Sequence, residues 1–110
     1  MPPDNTSSTP WSQWDETDYL QYLEHERHMF AWCLVHYGST PPQLARERAE
    51  ERYPYEPPDA PCRGLIFHDI SWHWAMLSIH GDGYWVHHRE RQDPTDEYKT
   101  EEKRYRESQR

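Results

Sequence analysis

The chain has 110 residues, 20 acidic and 12 basic side chains, a formal net charge of −8, and only 34% hydrophobic residues. That length allows one ordinary domain and excludes a second of useful size, and the acidic balance disfavours direct binding to nucleic acid or to an anionic membrane surface. Six Trp, eight Tyr and two Phe argue against disorder, because each buried aromatic ring removes roughly 150–250 Å² from water and a few can replace many aliphatic residues.

Residues 1–14 hold three prolines and the polar run Asn5-Thr6-Ser7-Ser8-Thr9, which predicts a flexible arm with Trp11 and Trp14 at its end. Asp15 reads as an N-cap, with Glu16 and Asp18 in the first turn of a helix over 15–37. Leu20, Leu23, Phe30, Leu34 and Tyr37 recur at helical spacing, and Gly38 stands where a helix terminates. The stretch Met29–Val35 is apolar on every side and is the expected centre of the core.

Thr40-Pro41-Pro42-Gln43 has capping-box spacing with proline at the first helical position, so a second helix is expected to run to Tyr53, with Arg46/Glu50 and Arg48/Glu51 pairing on its surface. Four prolines in 54–63 make an extended connector. Leu65 to His80 reads as a helix, with Phe67, Ile70, Trp74 and Leu77 on one seam, Asp69 or Ser71 as cap, and Gly81 as end. The competing reading pairs Trp72–His80 with Tyr84–His88 as a hairpin around Gly81-Asp82-Gly83. The good helix formers Ala75, Met76 and Leu77 favour the helix. Asp93-Pro94-Thr95-Asp96 begins a charged C-terminal helix or tail over 93–110, expected to dock weakly or fray.

The expected architecture is therefore mainly α: a small single-domain bundle of about four helices with an aromatic-rich core over 15–92, or α+β if the hairpin forms. The N-terminus lacks the basic and apolar parts of a signal peptide and no apolar run reaches membrane-spanning length, so a cytoplasmic location is expected. Cys33 and Cys62 are too few for a disulfide framework.

Eight histidines invite a metal site, and the candidate ligands are His25, His28, His68, Asp69 and His73. An i,i+3 histidine pair is common on solvated helix faces, so no metal or other cofactor is expected. The dipeptide His68-Asp69 resembles the metal-binding pair of the phosphohydrolases named for their histidine-aspartate motif. That resemblance covers two residues, and helix capping by Asp69 accounts for them. Buried Cys33 would be poorly ionised, and no Gly-rich phosphate loop or CxxC pair is present, so no catalytic residue is assigned and the protein is read as non-enzymatic. Trp72-His73-Trp74 with Tyr84-Trp85 could stack bases, but only Arg89 and Arg91 lie nearby, which favours core or a protein-binding patch.

About −5 of the net −8 falls in residues 1–38. In size and charge the chain resembles small phage or mobile-element inhibitors, including anti-CRISPR proteins and other DNA mimics. The resulting expectation is a binding or inhibitor protein that presents Asp15, Glu16, Asp18, Glu24 and Glu26, with Trp72 and Trp85, to a partner with a basic surface, such as a nucleic-acid-binding protein. An accessory subunit of a complex and a homodimer are the further partner readings.

Overall fold

The computed structural model describes residues 15–61 and 63–109, with the side chain of His68 outside that description. The chain forms α1 (Glu16–Gly38), α2 (Pro42–Arg52), a 3₁₀ turn (Leu65–His68), α3 (Ser71–His80), the single turn α4 (Tyr84–His87), a second 3₁₀ turn (Arg89–Arg91) and α5 (Asp96–Ser108). Among the described residues there is no strand, so the mainly α expectation holds and the hairpin does not form. Expectations for the N-terminal arm, Trp11, Trp14 and Cys62 fall outside the described residues.

Asp15 caps α1 as expected, its carboxylate accepting the Asp18 N–H at 2.8 Å. The helix then runs one residue past its predicted end, through Gly38. The left-handed residue that stops it is Ser39, at φ 53° and ψ 33°, with the Thr40 N–H closing onto the Leu34 carbonyl at 3.0 Å. Gly38 serves packing instead, since a Cβ there would stand 3.0 Å from Cγ1 of Ile79 on α3. Thr40 makes no capping box: α2 starts behind Pro41 without a side-chain cap, and the Thr40 hydroxyl donates to the Gly38 carbonyl.

The core lies where the apolar stretch of α1 places it. Met29, Phe30, Cys33 and Leu34 share the core with Ala45 and Ala49 of α2 and Ala75 and Met76 of α3, and the three alanines let the helices approach α1 closely. Aromatic rings fill both ends. Phe67 sits among Tyr19, Tyr22 and Tyr53, with ring centroids 4.8–6.1 Å apart. At the other end Trp72 meets Tyr37 and Tyr98 edge to face, each at 5.4 Å.

Those two destinations explain why the predicted helix 65–80 is interrupted. Phe67 and Trp72 pack in different aromatic groups, and the chain between them passes through extended Asp69 (φ −115°, ψ 152°) and Ile70 (φ −76°, ψ 157°). The N-cap position of α3 falls on Ile70, not on Asp69 or Ser71. Ser71 is buried inside its first turn, its hydroxyl 2.8 Å from the Tyr98 hydroxyl. Gly81 and Gly83, at φ 87° and 79°, reverse the chain into α4.

The proline connector is tied down by polar contacts. The Glu56 N–H donates to the Tyr19 hydroxyl at 2.8 Å, Arg63 donates to the Glu56 carbonyl, and its guanidinium lies 3.7 Å from the Tyr19 ring centroid. The C-terminal helix begins within the expected 93–96 segment, where the Thr95 hydroxyl accepts the Tyr98 N–H at 3.1 Å, but its docking is firmer than a frayed tail. Tyr98 is buried, Tyr37 donates to Glu97 at 2.8 Å, and His28 stacks on Tyr105 at 4.2 Å and 18°.

Candidate interaction surfaces

The five carboxylates expected to form one acidic face have four different environments. Glu24 is held by a two-pronged contact from Arg46, at 2.6 and 2.8 Å, which keeps its carboxyl below the usual range. Glu16 accepts from Tyr55 and from Arg63, and these hydrogen bonds lower its pKa as well. Glu26 points inward, 3% exposed, with one oxygen accepting from His25 Nδ1 at 2.9 Å and the other without a hydrogen-bond partner among the described residues. Asp15 and Asp18 are exposed with no cation paired to them among the described residues. The continuous acidic face therefore reduces to these two, because arginines from α2 and the connector neutralise two carboxylates and the fold buries a third.

The two tryptophans separate equally clearly. Trp72 is 1% exposed, and its indole N–H donates to the Arg91 carbonyl at 2.8 Å, which corrects its expected place on the surface. Trp85 is 44% exposed, packed edge-on against Tyr84 at 5.3 Å and 6.2 Å from the His73 ring. Three other large apolar side chains in the same part of the chain are exposed by half or more: Leu65 at 56%, Ile70 at 51% and Val86 at 55%. Sequence reasoning missed these. The periodicity places Ile70 on a helical seam, and the break that leaves it exposed has no glycine or proline to announce it.

The candidate ligands His25, His28 and His73 do not gather into one site. His28 donates to Glu101 at 2.6 Å, and His25 Nε2 lies 3.4 Å from Glu102, so both serve the α1–α5 junction. His73 is hydrogen-bonded to the Tyr84 hydroxyl at 3.0 Å on a different helix. No group of three His, Cys, Asp or Glu able to hold a metal occurs among the described residues, and the side chain of the candidate ligand His68 lies outside them. Cys33 is buried and unbridged, and burial pushes its thiol pKa well up.

Two depressions are lined wholly by described residues. A groove of about 780 Å³ between α1 and α5 is lined by Leu20, Tyr22, His25 and Tyr105, with Asp18 and Arg106 on its rim. Leu20, expected in the core, is 45% exposed there. A shallower one of about 490 Å³ lies between α2 and α3. No described helix is long and apolar enough to cross a membrane. Comparison with protein-family models, curated proteins and solved structures gives no match.

Proposed function

We propose that the protein is non-enzymatic and acts by binding another protein, as an inhibitor or accessory protein of the small acidic kind found in phages and mobile elements. Its contact surface centres on Trp85 and Val86, and its partner carries a basic surface. The observation that carries this reading is the exposure of Trp85, Val86, Ile70 and Leu65 in a molecule whose other large rings are mostly packed. Exposed tryptophan is a common anchor of protein interfaces, and here Trp85 is followed in the chain by a second exposed large apolar side chain, Val86. Asp15 and Asp18, with the overall charge of −8, supply long-range attraction to a basic partner, whereas Glu16 and Glu24 are spent on internal pairs.

The test begins with capture of the partner from the native host and continues with the purified pair. Trp85→Ala should weaken binding tenfold or more, and Asp15→Lys with Asp18→Lys should slow association and flatten its salt dependence. Unchanged affinity in Trp85→Ala and Val86→Ser removes the surface assigned here. An unchanged association rate in the charge variant removes the electrostatic half. If sedimentation instead shows concentration-dependent dimers that Trp85→Ala dissolves, the surface is a self-association site.

A further inference from the structure

We propose that the depression between α2 and α3 is a binding site for a small aromatic phosphate ester, of which a nucleoside monophosphate is a common example. Arg48 and Arg52 stand one turn apart on α2, and Trp74 and Ser78 stand one turn apart on α3, so the two helices set paired side chains along facing edges. Phe30 and Leu77 complete the apolar lining.

These two arginines differ from those that hold the helices and connector together by ion pairs. Arg46, Arg63 and Arg104 each hold a carboxylate, at 2.6–2.8 Å. Arg48 and Arg52 have no carboxylate within ion-pair distance among the described residues, and the Arg48/Glu51 pair expected from their spacing does not form. Arg52 instead lies over the Trp74 ring, its guanidinium carbon 3.9 Å from the centroid. Stacking restrains the guanidinium while leaving its N–H edge available for two parallel hydrogen bonds to an oxyanion. Arg48 is exposed beside it and adds a second charge, and the exposed Ser78 hydroxyl adds a donor.

The apolar side chains Trp74 and Leu77 in the lining suit a ring attached to the anion better than a bare ion. Glu51 is the one carboxylate in the lining among the described residues, and it opposes an anion. Its position makes the proposal testable in both directions.

The experiment is titration of the intact protein, followed by NMR at the Trp74 indole, the Arg52 Nε and the Ser78 amide, with phenyl phosphate, AMP and inorganic phosphate as probes. Phenyl phosphate and AMP should give saturable shifts confined to these positions and bind at least tenfold more tightly than inorganic phosphate. Arg48→Ala should weaken phenyl phosphate tenfold, Arg52→Lys should weaken it although the charge is kept, and Glu51→Gln should tighten it severalfold. Arg48 is exposed and unpaired, so its variant tests the site with the fold intact, as circular dichroism would verify. Equal affinity for inorganic and phenyl phosphate, shifts scattered over the surface, or binding unchanged in Arg48→Ala would overturn the proposal.

Discussion

Trp72 and Trp85 show how residue-scale physics separates side chains that look alike in the sequence. Both lie in aromatic-rich segments, yet Trp72 has a core position with edge-to-face neighbours and a satisfied indole N–H, while Trp85 rests on the outside of α4. Trp72→Ala should therefore cost about 3–5 kcal/mol in urea denaturation, the range for emptying a large core site. Trp85→Ala should change stability by less than about 1 kcal/mol, as surface changes usually do. The carboxylates divide in the same way: Asp15→Ala should cost about 1 kcal/mol because a helix cap is lost, and Asp18→Asn less than about 0.5 kcal/mol. The cap was legible because Asp15 precedes the first periodic residues. The fates of Glu16, Glu24 and Glu26 were not, because the partners of the first two, Arg63 and Arg46, are 47 and 22 residues away, and Glu26 is buried near Tyr53 and Tyr98, which are distant in the sequence.

Among the elements, α1, α2 and α5 were legible from caps, prolines and apolar spacing, whereas 65–80 was not. Periodicity ran through Asp69-Ile70 without a break, and the interruption is imposed by the two separate aromatic groups that receive Phe67 and Trp72. The docking of α5 was also hidden, since its polar composition gives no hint that Tyr98 and Tyr105 both find partners on α1 and α3. This junction has a pH signature. Hydrogen bonds from Arg104 and then His28 hold the Glu101 carboxyl down to about 2, against an ordinary value near 4.5. A carboxyl with a depressed folded pKa stabilises above its unfolded value, and that contribution is lost as pH falls through the folded one. Wild type should accordingly exceed Glu101→Gln in urea stability at pH 6, and the gap should close progressively between about 4.5 and 2. A gap that is constant over that range would show that Glu101 contributes through shape alone.

For the whole molecule, α1 is the axis on which the other long helices are laid, and Cys33 at its centre is 0% exposed. Its thiol can ionise and react only when water and reagent reach it, because burial raises its pKa far above the ordinary range. Reaching it requires α2, α3 or α5 to leave α1, and the interlocked rings at both ends oppose the departure of any one alone. With Cys62→Ser as background, so that a single thiol reports, labelling of Cys33 by a neutral thiol reagent should be negligible in buffer and rise with urea along the same curve as tryptophan fluorescence. Coincidence of the two transitions would identify the bundle as one cooperative unit. Labelling that precedes the fluorescence change would mean that one helix detaches first, and repeating it in Glu101→Gln would tell whether that helix is α5, since only then should the variant bring the early labelling to lower urea.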